Sequence, residues 1–311
     1  MAVSPTNTSV IVYARSGKSS RVPTFALPPS ITSSLRFHHI TSVNRGCGII
    51  PIVLQVTAEL IERRIYGPVQ ELRLRAPELA RRLSAGQAVL VRAGWGLEPF
   101  LRRTFHPVAL DAESWTLRLP PSGDWGHAWL RTVAPGTEID CLGPVGRGYV
   151  IGPGARNVVC AGEEEAAWAL LPAVLEADAA GLSTAFTLQT TRERDLIPPG
   201  RLPAGVEYRV ARSQGSPGDP ERLADTLGEW LGWADTVLAA GSLRFYGQLA
   251  EAIKAVRFGI DRGFAQVLYL RQTFFCGTGA CHSCVADLPG GRRRVCLRGP
   301  VFDLLDILPG H

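Results

Sequence analysis

The sequence lacks any apolar run long enough to cross a lipid bilayer. The best candidate, residues 47–56, is about ten residues long and contains Pro51, whereas a membrane-spanning helix needs about 20. The sequence also lacks a basic stripe interleaved with aromatic residues, which argues against nucleic-acid binding, and it has no internal repeats. We therefore expect a protein without membrane spans or nucleic-acid partners, whose 311 residues allow two or three domains.

Acidic residues are missing from the start of the chain, where the first is Glu59. Of the 33 basic residues, five precede Glu59, so the rest carries 28 basic and 28 acidic residues and is formally neutral. Residues 1–47 are also rich in Ser, Thr and Pro, a composition that cannot bury much surface and predicts a disordered extension. An upstream extension or an early start codon explains this segment better than a transit peptide does.

The cysteines do not suit a disulfide framework. There are seven, an odd number, and four of them fall close together near the C-terminus. Such clustering in a chain without a secretory signal indicates a metal site in a reducing compartment, and hence a cytoplasmic protein. The other three, Cys47, Cys141 and Cys160, are expected to be ordinary buried thiols.

Strand and helix patterns divide the chain after the extension into three parts. Short apolar and β-branched runs separated by turn residues fill residues 48–152 and predict a small β-barrel. Strands alternate with helices over residues 153–262, including a predicted helix at 164–179, which indicates a doubly wound, mostly parallel sheet. Residues 263–311 form a compact tail that carries the clustered cysteines. The fold class is thus multidomain, β followed by α/β.

The clustered cysteines have the spacing Cys276-x4-Cys281-x2-Cys284-x11-Cys296. Three thiolates on one loop closed by a distant fourth are typical of a [2Fe–2S] cluster, and Gly277 and Gly279 permit the tight backbone. A structural zinc site is the alternative, although four-cysteine zinc sites usually come as two close pairs.

Two segments around these cysteines resemble a known family. Residues 275–284 (Phe-Cys-Gly-Thr-Gly-Ala-Cys-His-Ser-Cys) and 295–303 (Val-Cys-Leu-Arg-Gly-Pro-Val-Phe-Asp) closely resemble the electron-transfer subunit of two-subunit dihydroorotate dehydrogenases. The resemblance extends over residues 50–308. It implies a ferredoxin-reductase-like architecture: a flavin-binding β-barrel, a nucleotide-binding-like domain and a C-terminal [2Fe–2S] domain.

The same resemblance implies FAD on the barrel. Residues 103–106 stand where the family has Arg-x-Tyr/Ile/Phe-Ser/Thr, and residues 126–130 resemble its Gly-Thr-x-x-Leu segment. Arginine clamps pyrophosphates, and histidine donates hydrogen bonds to a flavin ring as a hydroxyl does. Taken alone, an arginine here is typical of a surface charge and a phenylalanine of a core residue. The residues implied to bind FAD are Arg103, Thr104, Phe105, His106, Gly126 and His127.

The nucleotide-binding segments depart from the family. Where it has a glycine-rich turn of the form Gly-Gly-x-Gly-x-Ala-Pro, residues 161–167 read Ala-Gly-Glu-Glu-Glu-Ala-Ala. A second family segment, Cys-Gly-Pro, is replaced by Ala240-Gly241-Ser242. Three carboxylates at a strand end repel a phosphate. We therefore expect NAD to bind poorly or not at all.

The function implied by the resemblance is a relay of electrons between FAD and the FMN of a catalytic flavoprotein subunit, in a hetero-oligomer serving pyrimidine biosynthesis. The chain is not expected to act on dihydroorotate alone. Two alternatives stay open. One is a reductase subunit of another NAD(P)H–ferredoxin or sulfur-reducing complex, and the other is a degenerate scaffold that retains only the cluster.

Overall fold

The computed structural model describes residues 9–10, 52–94, 100–212 and 220–308. Two residues of the N-terminal extension, Ser9–Val10, pair with the first long strand. The predicted disorder of the rest of the extension, and the buried state expected for Cys47, fall on residues outside these ranges.

The first part of the chain is an antiparallel sheet of eight strands, in the order β5-β4-β8-β2-β3-β7-β6 with β1 beside β2. Two short helices accompany it. The elements are β1 Ser9–Val10, β2 Leu54–Tyr66, β3 Val69–Arg75, α1 Pro77–Ala80, β4 Ala88–Val91, β5 Arg103–Phe105, β6 Ala109–Leu110, β7 Ser114–Leu119, α2 Trp125–Leu130 and β8 Glu138–Val145.

The strands of this sheet are held together by one apolar core. Side chains from β2, β3, β4, β7 and β8 meet in a single buried cluster that includes Leu60, Leu72 and Leu117. In β2 and β3 buried positions largely alternate with more exposed ones, as expected for strands with one face on a core. The prediction that this part of the chain is β-rich is thus confirmed.

The second part is a six-stranded sheet in the order β11-β10-β9-β12-β13-β16. It is parallel except for β16, which pairs antiparallel with β13. The elements are β9 Asn157–Glu163, α3 Leu171–Ala179, β10 Ser183–Thr190, β11 Glu207–Arg212, α4 Pro220–Trp233, β12 Thr236–Ala240, α5 Leu243–Val256, β13 Ala265–Leu268, β14 Val285–Leu288, β15 Gly291–Arg294, α6 Val295–Arg298, β16 Val301–Asp303 and α7 Leu304–Ile307.

Alternate residues of β9 face opposite layers, which makes the sheet doubly wound. Val158 and Cys160 pack in one cluster with α3, whereas Val159 and Ala161 pack in another with α4 and α5. Cys160 is fully buried, as is Cys141 in the barrel, so the expectation of buried thiols is confirmed for both. Burial raises the pKa of Cys160 to about 12.

The segment after β9 differs from the predicted helix. Residues Glu164–Leu170 form a 3₁₀ helix, and the α-helix begins only at Leu171. Two features explain the late start: Glu164 has a positive φ of 51°, and Pro172 lies in the first turn of α3, where its missing N–H costs nothing.

The cysteine-bearing tail is joined to both other parts. Its strands β13 and β16 belong to the six-stranded sheet, so the tail shares a core with the α/β part. The tail also contacts the barrel, because a Cβ on Gly277 would lie 2.9 Å from Val145 Cγ2. The barrel itself is tied to the parallel sheet where the Tyr149 hydroxyl donates to the Ala239 carbonyl at 2.7 Å. Within the described ranges, no helix has the length and apolar character to cross a membrane.

Candidate functional site

The four clustered cysteines are brought together between β13 and β16, as their spacing predicted. The Sγ atoms of Cys284 and Cys296 lie 3.1 Å apart. The backbone amide of Cys281 donates a hydrogen bond of 3.5 Å to the Sγ atom of Cys276. Cys284 and Cys296 thus lie side by side, and Cys276 and Cys281 approach each other across the loop, an arrangement compatible with a cluster of two irons.

The backbone of this loop depends on unusual conformations. Gly277 and Gly279 have φ values of 67° and 79°, and His282 has a φ of 58°. Both glycines are also close to neighbouring side chains: a Cβ on Gly279 would lie 2.4 Å from Leu297 Cδ1. The loop is thus held between the barrel on one side and α6 on the other, and glycine is required at both positions.

The electrostatics of the loop favour thiolates, the form that binds iron. Burial opposes ionisation of Cys276, but hydrogen bonds from the Cys281 amide and from Thr278 bring its pKa down to about 7. The pKa of Cys284 falls to about 6, chiefly through its hydrogen bond with Cys296, whose own pKa the same contact raises. Two thiols of the loop with lowered pKa values, Cys276 and Cys284, fit a site that binds iron through thiolates.

The clustered cysteines differ in exposure. Cys281 is exposed, whereas Cys284 and Cys296 are each 1% exposed. Of the two preceding aromatic residues, Phe274 is buried and Phe275 is partly exposed at 37%. In the parts of the chain that the structure describes, no three or more His, Cys, Asp or Glu side chains are arranged to hold a single metal ion.

Thr104 connects the flavin segment of the barrel to the cysteine loop. Its hydroxyl accepts a hydrogen bond of 3.0 Å from the backbone amide of Phe274, two residues before Cys276. The sequence motif placed Thr104 beside the flavin, but nothing in the sequence indicated this contact across 170 positions. The two predicted cofactor sites are therefore neighbours.

Arg103 is paired within the protein. Its Nε atom donates to both oxygens of Asp124, at 2.9 and 3.0 Å. Asp124 also caps α2, where its carboxylate accepts from the His127 amide at 3.0 Å. The pKa of Asp124 is lowered, first of all by the hydrogen bond from Arg103. The sequence analysis missed this acid, although an Asp one residue before a short helix is a common N-cap.

The remaining predicted flavin residues surround this pair. Phe105 is buried and stacks on the His127 ring, with centroids 5.2 Å apart. Burial lowers the pKa of His106 to about 4, so its ring is neutral at pH 7. The Nδ1 atoms of His106 and His127 are both buried without a hydrogen-bond partner. A Cβ on Gly126 would lie 3.0 Å from the Arg103 Nε atom, so a larger residue here would push against the Arg103 side chain.

These features are compatible with FAD. Arginine and histidine side chains lie together near the end of β5, and both types carry donors that a phosphate or a flavin ring can accept from. Arg103 donates to Asp124, so a pyrophosphate that binds to the Arg103 guanidinium has to share these donors with the carboxylate or displace it. The roles of the individual residues stay predictions.

A buried ionic network that the sequence did not reveal joins the barrel to the α/β part. Arg118 on β7 donates to Glu165 at 2.7 Å and to the Arg194 carbonyl at 2.6 Å, and its guanidinium lies 3.7 Å from the centre of the Trp168 ring. Asp195 is fully buried beside it, and burial, Glu164 and Glu165 raise its pKa to about 7. Asp195 therefore holds a proton for much of the time at neutral pH.

Solved structures share this fold. The NADH-dependent reduced ferredoxin-NADP oxidoreductase described for flavin-based electron bifurcation superimposes with a TM-score of 0.65 at 20% identity, covering 81% of this chain and 89% of that chain. The ferredoxin reductase of carbazole 1,9a-dioxygenase gives 0.54 at 14% identity, covering 70% of this chain and 69% of the other. The chain has a ferredoxin-reductase-like fold.

Sequence comparisons indicate which ferredoxin-reductase-like proteins this chain resembles in sequence. Residues 272–308 match the iron-sulfur cluster binding domain of dihydroorotate dehydrogenase B. The NAD(+)-type electron transfer subunit of dihydroorotate dehydrogenase B from Geobacillus thermodenitrificans is 26% identical over 253 residues, 79% of this chain and 94% of the relative. The same subunit from Clostridium acetobutylicum is 28% identical over 226 residues, 70% of this chain and 83% of the relative. The chain is thus similar over most of its length to these electron transfer subunits and carries their iron–sulfur domain.

Proposed function

We propose that this chain is an electron-transfer subunit that holds a [2Fe–2S] cluster on Cys276, Cys281, Cys284 and Cys296 and FAD on the barrel. Its partner is a catalytic flavoprotein subunit of the dihydroorotate dehydrogenase type, in a cytoplasmic hetero-oligomer that serves pyrimidine biosynthesis. The observation that carries the proposal is the hydrogen bond between Thr104 and Phe274, which joins residues 103–106, predicted to bind the flavin, to the cysteine loop.

The arrangement of the two sites supports a relay. When bound, an iron–sulfur cluster exchanges single electrons and a flavin exchanges one or two, which is chemistry that the protein positions rather than performs. The loop has an exposed residue, Cys281, on one side, and on the other side Gly277 contacts the barrel. One edge of the site is thus available to a partner protein while another faces the flavin segment.

Metal and cofactor content test the proposal directly. Protein purified anaerobically from its native host is expected to contain about two irons and two labile sulfides per chain, together with FAD. A catalytic flavoprotein subunit is expected to co-purify with it. Stoichiometric zinc without sulfide would reject the cluster, and cluster absorption without any flavin uptake would favour the scaffold alternative.

Removing the Arg103 guanidinium is expected to weaken FAD binding. Loss of a charge-assisted contact to the pyrophosphate costs about 1.5–3 kcal/mol. The Asp124 carboxylate, left without its partner, adds repulsion at the same place. Fluorescence titration of the flavin-free protein with FAD measures the effect in Arg103→Ala. The matched control is Arg75→Ala, which removes an exposed arginine paired with Glu59 on the barrel. Equal FAD affinity in the two variants would remove Arg103 from the flavin site.

A further inference from the structure

The six-stranded sheet has a topological switch point at the end of β9. Strand β9 lies at its centre, with β10 and β11 on one side and β12 and β13 on the other. In open parallel sheets of this kind, ligands bind outside the carboxyl ends of the strands at such a point, commonly with phosphates on backbone amides. In this chain, β9 ends at Glu163, and Glu164 and Glu165 follow directly.

Glu163 binds the backbone on one side of the switch point. Its Oε2 atom accepts a hydrogen bond of 2.7 Å from the amide of Ser242, which follows β12 and caps α5. The approach is close, since a Cβ on Gly241 would lie 2.9 Å from the Glu163 Cβ. An amide at the start of a 14-residue helix, of the kind that holds phosphates in other sheets, is therefore already bound to a carboxylate.

Glu164 binds the backbone on the other side of the switch point, next to the end of β10. Its Oε1 atom accepts from the Thr191 amide at 3.2 Å and from the Thr191 hydroxyl at 2.9 Å, just after the end of β10. Arg192 lies 3.4 Å from its other oxygen. Burial opposes the charge on Glu164, but hydrogen bonds from Asp195 and Thr191 outweigh it and keep its pKa below the ordinary value. The carboxylate is therefore an anion held in place, and its backbone adopts a positive φ of 51°.

The space between these two contacts is filled by the chain itself. A Cβ on Gly162 would lie 2.4 Å from the Ala167 Cβ, so the 3₁₀ helix packs directly on the end of β9. Glu165 turns away toward Arg118 of the barrel. The glycine retained at position 162 is thus required for packing of the 3₁₀ helix on β9.

We propose that Glu163 and Glu164 are specificity-determining residues that close the switch point of this domain to pyridine dinucleotides by occupying its anion-binding donors themselves. Resting on the proposed function, the inference adds that electrons are exchanged with redox proteins at both ends of the relay and not with NAD(H) or NADP(H). The mechanism differs from simple repulsion, because the carboxylates take the hydrogen bonds that the phosphates need.

Calorimetric titration of the anaerobically purified full-length protein with NADH tests the closure. No saturable binding is expected at NADH concentrations up to about 1 mM, which corresponds to a binding free energy weaker than about −4 kcal/mol. Flavin and cluster absorbance should be unchanged by NADH and bleached by dithionite. A dissociation constant in the micromolar range, or rapid bleaching by NADH, would overturn the proposal. Cofactor content is measured separately, and a protein without flavin or iron would reject the proposed function. The heat of NADH binding is measured without either cofactor, so the same titration still tests the closure of the switch point.

Variants identify the residues responsible. The double variant Glu163→Ser/Glu164→Ser frees the Ser242 and Thr191 amides and is expected to gain NADH affinity by at least about tenfold. The matched control is Glu193→Ser, which removes an exposed negative charge from the neighbouring 3₁₀ turn and should gain nothing. Should the double variant fail to fold, Glu163→Gln keeps the size of the side chain and should show a smaller gain. A folded variant that binds no better than the wild type would show that these carboxylates are not what excludes the dinucleotide.

Discussion

Replacement of Gly279 by valine is expected to abolish cluster binding, with iron falling from about two per chain to almost none. Gly279 has a φ of 79°, a conformation that costs a β-branched residue more than the 1–2 kcal/mol typical of L-residues. A Cβ there would also lie 2.4 Å from Leu297 Cδ1 and 2.8 Å from Leu297 Cγ. The loop between Cys276 and Cys281 therefore has to open, and the thiolates lose their common geometry.

The control for this variant is Gly290→Val in the exposed turn between β14 and β15. Its nearest neighbour, the flexible end of Arg293, lies 3.7 Å away, so iron content should be unchanged. Iron and sulfide analysis after anaerobic purification gives the result, and circular dichroism checks that the barrel and the α/β part are folded. A Gly279→Val protein with full iron and an unaltered visible spectrum would contradict this account of the loop.

The sequence predicted most features of the fold that depend on short stretches of residues. Short apolar runs predicted a β-rich first part, and alternating strand and helix patterns predicted a mostly parallel sheet after it, as the two sheets have them. The spacing of the cysteines was enough to group the four residues that lie close together in the structure. Short sequence intervals and two glycines largely determine the shape of such a loop. The start of α3 was wrong by seven residues, since the positive φ of Glu164 depends on contacts with a neighbouring strand end.

Contacts between distant segments could not be predicted in the same way. Arg103 was expected to face a phosphate, and no local pattern indicated that Asp124, 21 positions later, would share it. The three glutamates at the end of β9, residues 163–165, were interpreted only as a source of repulsion. Their hydrogen bonds to Ser242 and Thr191 join segments 79 and 27 positions apart, and carboxylates next to a strand end do not by themselves reveal which amides they bind.

Replacement of Arg118 by methionine is expected to destabilise the protein by about 3–5 kcal/mol, the usual cost of removing one member of a buried ionic group. The Arg118 side chain is only 4% exposed. Without it, Glu165 loses its 2.7 Å partner and the Trp168 ring loses the guanidinium that covers it. Glu71, 2% exposed, loses Arg118 as well and, among the residues that the structure describes, keeps Arg201 as its one ion-pair partner.

The loss should be concentrated at the junction between the barrel and the α/β part, because Arg118 belongs to β7 and Glu165 follows β9. Urea denaturation of the wild-type and variant proteins, followed by tryptophan fluorescence, measures the free energy of unfolding. Arg73→Met is the matched control, since it removes an arginine of the neighbouring strand whose pair with Asp111 is solvent-exposed, and it should cost less than about 1 kcal/mol. A cost for Arg118→Met no larger than that of the control would mean that the buried network contributes nothing net to holding the two parts together.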